Sequence, residues 1–229
     1  MKFRKTNHMS EADHELVTQA VHQAEQLTDG EIVTIVAATS DDYRETAYIW
    51  ASISALITLT FFALFSDFFA ALIARFYGEW NHQLSNAEYL VIAGTAALIK
   101  WVAVWLILHW QPLRLLLTLP HAKKNAVRAR AIDLFRVGTE SRTIGRTGVL
   151  IYLSMKEHRA EIVADKAIAD QVAPEIWGDA MLALIEQTKN GQPGAGMAGA
   201  VFQVGQVLNE YFPKSDGNPN ELPDRLIEL

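Results

Sequence analysis

The chain has 229 residues, of which 50% are hydrophobic, with a formal net charge of -6 and no cysteine. This length accommodates one ordinary globular domain and a modest membrane portion. The acidic balance and the absence of a basic stripe argue against a nucleic-acid partner, and the absence of cysteine excludes disulfides, thiol nucleophiles and Cys-ligated zinc.

The chain starts with a predicted helix and a predicted strand. Ser10 can cap the helix, because Asp13 follows three residues later and apolar residues recur at helical spacing as far as Leu27. Residues 31–38 form a β-branched run that predicts a buried strand. One strand cannot bury its own apolar surface. It therefore needs later strands as partners, on the same side of any membrane that the chain crosses.

Two long apolar segments follow the strand. Residues 47–66 contain no charged side chain, and twenty residues at about 1.5 Å each cover the roughly 30 Å hydrocarbon core of a bilayer. Residues 89–110 contain Lys100, which is unfavourable by about 2.5–3.5 kcal/mol, but ten Leu, Ile and Val residues offset it at about 0.3–0.6 kcal/mol each. We predict a hairpin of two transmembrane helices, with the lipid bilayer as a partner.

The distribution of Lys and Arg predicts the orientation of this hairpin. The connector, residues 67–88, contains only Arg75, whereas nine Lys and Arg residues flank the two segments. These nine are Lys2, Arg4, Lys5, Arg44, Arg114, Lys123, Lys124, Arg128 and Arg130. Because positive loops stay inside, both termini and the soluble domain are predicted to be cytoplasmic, in a multi-pass protein of the inner membrane. Residues 68–73 and 76–80 of the external connector are expected to lie along the interface.

Lys100 has two interpretations. With antiparallel spans its depth matches Ser54 and Thr58, which lie four residues apart on one helical face and can accept hydrogen bonds. We favour this interpretation, in which Lys100 is a tolerated charge that faces the partner helix. The alternative is a functional contact of Lys100 with an ion or a substrate.

The elements after the hairpin predict a second half of the soluble domain. Two short runs, residues 148–154 and 160–164, are joined by a charged turn and predict an antiparallel β-hairpin. Helices are predicted over residues 122–137, 174–188 and 197–211, with a loop at 191–196. The predicted organisation is a discontinuous domain of residues 1–46 and 111–213, a transmembrane hairpin at 47–110 and a loosely ordered tail at 214–229.

The β-hairpin carries a resemblance to a known family. The string TGVLIYLSMKEHRAEIVADKAI at residues 147–168, with Thr143 and Arg146 before it and GMAGAV at 196–201 after it, resembles the TPM domain family. The resemblance implies an α/β sandwich with a small mixed sheet, here interrupted by the transmembrane hairpin. Family members are linked to photosystem repair, to acid phosphatase activity and to association with a neurotransmitter receptor. These roles share no chemistry that could be assigned to particular residues.

A group of carboxylates forms the candidate site. If the first strand ran parallel to the third, Asp41 and Asp42 would lie at the same end of the sheet as Asp165, and Arg146 would fall near them. Three carboxylates and one guanidinium can bind a divalent cation such as Ca²⁺ or Mg²⁺, or a phosphate. The alternative is that Asp41 and Asp42 are turn residues, while Arg146 and Asp165 form an ordinary surface pair.

The sequence leads to one functional expectation and two alternatives. We expect a non-catalytic accessory or scaffolding protein whose TPM-like domain is held near the bilayer for contact with another membrane protein. The first alternative is a metal-assisted phosphatase that uses Asp41, Asp42 and Asp165. The second is a lipid or small-ligand role for the two spans and Lys100.

Overall fold

The structure is a computed structural model, and it describes residues 9–77, 85–138, 147–215 and 222–229. The chain divides into two compact units, unit 1 from Met1–Asp41 and Pro120–Leu229, and unit 2 from Asp42–Leu119. The boundaries fall at 41/42 and 119/120, where the sequence had suggested 46/47 and 110/111.

The described residues form α-helices and four strands. The strands are β1 (Glu31–Ala37), β2 (Gly148–Ser154), β3 (Arg159–Ala164) and β4 (Ile227–Glu228). The helices are α1 (Glu11–Glu25), α2 (Arg44–Leu64), α3 (Ser66–Tyr77), α4 (Asn86–Ile107), α5 (Gln111–Leu117), α6 (Pro120–Gly138), α7 (Lys166–Ala169), α8 (Gly178–Lys189) and α9 (Pro193–Tyr211), with a 3-10 turn at Pro174–Trp177.

The four strands form one mixed sheet in the order β3-β2-β1-β4. β1 runs parallel to β2 and β4, while β2 and β3 form the predicted antiparallel hairpin. Every residue of β1 and β2 is buried, as expected for central strands that are covered on both faces. We term the end of the sheet at which β1 and β2 begin the amino end, and the end at which they finish the carboxyl end.

Helices cover both faces of this sheet. On one face, α1, α8 and α9 pack on alternate strand residues such as Ile32, Val36 and Ile151. On the other face, Val127 and Phe135 of α6 pack on a second set that includes Leu150 and Tyr152. The period-two alternation of strand side chains supplies both layers from the same two strands. Unit 1 is therefore a mostly helical α/β sandwich with a small mixed sheet, as predicted.

The amino-terminal cap of α1 is the predicted capping box. The backbone N–H of Asp13 donates to Ser10 Oγ at 3.1 Å, and the backbone N–H of Ser10 donates to Asp13 Oδ2 at 3.0 Å. The two side chains thus satisfy two amides that the first turn of a helix leaves unpaired.

Two predictions for unit 1 are wrong. The tail is not loosely ordered throughout, because residues 222–229 return to the sheet as β4, and buried Leu222 and Leu226 anchor them. The segment 191–196 is not a loop up to its end, because α9 already begins at Pro193. Proline is favoured at the first position of a helix. Glycine has a low helix propensity, but the close packing of Gly196 on Leu184 favours the helical conformation at this position.

Unit 2 consists of α2 to α5. Two hydrogen bonds show that α2 and α4 are antiparallel. Tyr89 near the start of α4 donates to the carbonyl of Phe62 near the end of α2 at 2.5 Å, and Trp101 in the second half of α4 donates to Ser52 Oγ in the first half of α2 at 3.3 Å. Small side chains lie buried between the helices, namely Ala47, Ala51, Ala93 and Ala97. Such small residues allow two helices to approach each other closely.

Two helices of unit 2 are long and apolar enough to cross a membrane, α2 with 21 residues and α4 with 22. The connector between them contains α3, which covers the predicted interfacial segment 68–73 and part of 76–80. Residues 78–80 lie outside the described residues. Phe62 and Phe69 stack with their ring centroids 4.2 Å apart, so α3 is attached to the end of α2.

Candidate functional site

The structure separates the carboxylates of the predicted site. Asp165 lies at the amino end of the sheet, where its carboxylate accepts a hydrogen bond from Gly148 N at 3.0 Å. Asp41 follows the other end of β1. Because β2 has seven residues at about 3.3 Å each, the two carboxylates are roughly 20 Å apart. The premise of parallel first and third strands is wrong: β1 pairs in parallel with β2, which makes it antiparallel to β3.

The other two members of the predicted site do not restore it. Asp42 belongs to unit 2 and pairs with Arg44 at 3.0 Å on an exposed surface. Arg146 lies outside the described residues. Across the parts of the chain that the structure describes, no three His, Asp or Glu residues are grouped as metal ligands. The described residues therefore do not bring these carboxylates together as ligands for Ca²⁺ or Mg²⁺.

In the described part of the chain, Lys100 does not form the expected hydrogen bonds with Ser54 and Thr58. Its side chain is exposed, although it follows Ala97 by three residues and Ala93 by seven, on the helical face of these buried alanines. The hydroxyl of Ser54 donates to the carbonyl of Ala51 at 2.7 Å, and the hydroxyl of Thr58 donates to the carbonyl of Ser54 at 2.9 Å. Both hydroxyls thus bond back to their own helix, as is common for Ser and Thr inside helices.

Buried carboxyl groups occupy the amino end of the sheet. Glu25 at the end of α1 accepts a hydrogen bond from Ile32 N at 2.8 Å, and Glu31 accepts one from Leu222 N at 3.2 Å. The pKa of Glu25 is raised to about 8, mainly by burial and in part by the charges of Glu31 and Asp224, while the hydrogen bond from Ile32 N and the charge of Lys214 lower it. These bonds join α1, β1 and the tail, so this group has a structural role that the sequence did not reveal.

A buried polar network closes the carboxyl end. The fully buried hydroxyl of Tyr152 lies 3.0 Å from Ser40 Oγ, and Glu157 accepts hydrogen bonds from Ser40 N and from the hydroxyl of Ser154. Burial raises the pKa of Tyr152 above its ordinary value. The network fixes the turn between β2 and β3 against the segment that follows β1. His158 in this turn has a φ of 48°, in the left-handed region.

Both chain connections to unit 2 leave unit 1 at this carboxyl end. Asp41 follows β1 by four residues, and the carbonyl of Pro120, at the start of α6, accepts a hydrogen bond from Arg159 Nη2 at 3.4 Å. Arg159 opens β3 and pairs with Ser154 at the end of β2. The chain therefore departs from and returns to the same end of the sheet.

Several cations lie on α6, which begins beside this departure point. The first half of α6, residues 120–130, contains four Lys and Arg residues and neither Asp nor Glu. With Arg159 from the β2–β3 turn they form what we term the basic cluster: Lys123, Lys124, Arg128, Arg130 and Arg159. Arg128 pairs with Glu161 at 3.2 Å. Burial raises the pKa of Glu161, and Arg128 and Lys124 oppose that shift.

Comparison with known proteins supports the fold. No family model and no curated protein matches the sequence. A solved structure, the NMR structure of BA42 protein from the psychrophilic bacteria Bizionia argentinensis sp. nov., is similar with a TM-score of 0.55 and 18% identity, over 100% of this chain and 99% of that chain. BA42 is a TPM-like domain protein. The fold is TPM-like. Similarity at this level of identity concerns architecture and carries no activity with it.

Proposed function

We propose that this protein is a membrane-anchored, TPM-like accessory or scaffolding protein of the inner membrane. In this proposal, α2 and α4 cross the bilayer as a hairpin, and unit 1 stays in the cytoplasm, where it is held close to the membrane for contact with another membrane protein. The lengths of the two helices and the nine flanking Lys and Arg residues support the crossing and its orientation.

The observation that carries the proposal is the common departure point of the two connections. β1 precedes unit 2 in the chain, while its two neighbours in the sheet, β2 and β4, follow it. The sheet can form only if both halves of unit 1 lie on one side of a bilayer. An even number of crossings meets this condition, and departure and return at the carboxyl end allow it with short connections.

Lys100 supports the part of the proposal that concerns a partner. It lies seven residues before Ile107, which is about 10 Å along the helix, and a lysine there is unfavourable in lipid by about 2.5–3.5 kcal/mol. The end of α4 at Ile107 is the nearer membrane boundary. Side chains of a helix tilt toward its amino end, so the Lys100 side chain points away from that boundary. The acidic residues of α2 and α4, Glu45 and Glu88, lie in the first turns. A polar or acidic residue of another membrane protein would pair with Lys100 and offset the unfavourable placement of its charge in lipid.

Photo-crosslinking in intact membranes tests this proposal. A photoreactive residue at the exposed position Ile99 is expected to yield an adduct with one defined membrane protein. Lys100→Leu should abolish that adduct and leave the amount of protein in the membrane unchanged or raised, since an unfavourable charge is removed. The control Val102→Leu, a change between apolar residues at a neighbouring exposed position, should keep the adduct. Adducts that are the same in Lys100→Leu and in the parent would contradict the proposal.

A further inference from the structure

The proposed scaffold role does not explain the composition and the position of the basic cluster. Its cations come from two distant parts of the sequence, α6 and the β2–β3 turn, and the bond from Arg159 to Pro120 brings these parts together. The acidic first turn of α1, with Glu11 and Asp13, belongs to the opposite helical layer. The cluster therefore gathers five cations on the α6 side of an acidic protein.

We propose that the basic cluster binds the anionic phospholipid headgroups of the membrane in which the protein is anchored. This inference rests on the proposed function, because it requires the hairpin to be inserted. It adds a lipid class to that function: phospholipids with net negative charge, bound through their phosphates by Lys and Arg.

Chain length keeps the cluster near the headgroups. Only Asp42 and Tyr43 separate Asp41 from the first residue of α2, and an extended chain covers at most about 3.6 Å per residue. Ser40 binds Glu157 in the β2–β3 turn, so Asp41 beside it lies at the carboxyl end and is about 11 Å or less from Arg44, where α2 begins. The Debye length at physiological salt is about 8 Å, so the potential of an anionic surface extends over a distance comparable with this connection.

Two nearby carboxylates are already engaged by other groups. Glu161 pairs with Arg128, and Glu157 is buried and accepts hydrogen bonds from Ser40 N and the Ser154 hydroxyl. The first half of α6, with Lys123, Lys124 and Arg130, contains no acidic residue, and Asp133 follows one turn later. Guanidinium and ammonium groups bind phosphate oxygens through charge-assisted hydrogen bonds, so the chemistry of the surface matches that of a phospholipid phosphate.

Lysine acetylation of the full chain in vesicles tests the inference. The protein is reconstituted in phosphatidylcholine alone and in phosphatidylcholine with phosphatidylglycerol, and insertion is checked by resistance to alkaline extraction. The acetylation rates of Lys123 and Lys124 are then compared by mass spectrometry with those of the exposed Lys166 and Lys189. We expect phosphatidylglycerol to slow the first pair about fivefold relative to the second, and about 1 M salt to reverse the effect.

A double variant and a soluble anion complete the test. Arg130→Gln with Arg159→Gln should reduce the protection of Lys123 and Lys124, whereas the control Lys166→Gln should not. Equal rates in the two kinds of inserted vesicle would overturn this inference and leave the proposed function standing. Protection by inorganic phosphate in phosphatidylcholine vesicles would also overturn it, in favour of a site for soluble anions. Failure to resist extraction would overturn both.

Discussion

The two ends of the unit 1 sheet differ in charge and in what they join. At the amino end, the carboxyl groups of Glu25 and Glu31 are buried and bind backbone amides of β1 and the tail. At the carboxyl end on the α6 side, the charges are positive and mostly exposed, and the chain leaves for unit 2 there. Within a chain of net charge -6, buried acids close the fold at one end of the sheet, and mostly exposed cations lie at the other.

The largest expected effect concerns the tail that closes the amino end. Leu226→Ala should lower the free energy of unfolding of unit 1 by about 2–5 kcal/mol, because a buried side chain is removed and the β4 segment loses an anchor. Urea unfolding of the solubilised full chain, followed by the fluorescence of Trp177, measures it, since the other tryptophans belong to unit 2. Leu229→Ala, at an exposed position, should change stability by less than about 0.5 kcal/mol. Equal effects would mean that the tail is not part of the core.

The pH dependence of stability tests the buried acid itself. The pKa of Glu25 is raised to about 8 in the folded state from 4.5, so its favourable contribution is complete below pH 4.5 and is lost as pH rises through 8. Between these values stability should fall by up to about 1.4 kcal/mol per pH unit. Glu25→Gln should remove this slope and stabilise the protein at pH 7, with little effect at pH 4.5. Glu15→Gln, exposed on the same helix, should keep the slope; an unchanged slope in Glu25→Gln would contradict the assignment.

Replacement of Asp165 tests whether its carboxylate is a structural group or a metal ligand. Asp165→Ala should reduce stability by about 1–3 kcal/mol, because Gly148 N loses its acceptor in a buried position. Calorimetric titration with Ca²⁺ or Mg²⁺ should give the same result for the parent and the variant, and hydrolysis of a generic phosphate ester should not depend on Asp165. Asp170→Ala, an exposed control, should change neither. Metal binding that is lost only in Asp165→Ala would revive the carboxylate site and the phosphatase hypothesis.

A smaller effect is expected at the carboxyl end. Tyr152→Phe removes the hydrogen bond between the Tyr152 hydroxyl and Ser40, and should lower stability by about 0.5–1.5 kcal/mol. The ring remains packed under α6, so the core is otherwise unchanged. The urea midpoint measures the loss, and Tyr211→Phe in α9 serves as a control. A loss as large as that of Leu226→Ala would mean that the polar network, and not the tail, dominates unit 1.

Local signals allowed much of the fold to be predicted from the sequence. The capping box of Ser10 and Asp13 and the hairpin of β2 and β3 depend on neighbours within a few residues. β4 could not be predicted in the same way, because its two residues gain their strand conformation only by pairing with β1, almost 200 residues earlier.

The candidate site was predicted less well, for a topological reason. The positions of Asp41 and Asp165 depend on which strand β1 joins, and a run of β-branched residues does not specify its direction. The buried acids also give no sequence signal. Glu25 looks like an ordinary residue at the end of an amphipathic helix until the tail covers it.

Cysteine labelling in spheroplasts tests whether both halves of unit 1 lie on one side of the membrane, since the chain has no cysteine. Single cysteines would replace Glu15 and Lys189 in the two halves of unit 1 and Ala87 at the start of α4, all at exposed positions. We predict that a membrane-impermeant maleimide labels Ala87→Cys before lysis, and labels Glu15→Cys and Lys189→Cys only after it. Labelling of one half of unit 1 before lysis and of the other only after it would contradict a sheet assembled from both halves on one side of the membrane.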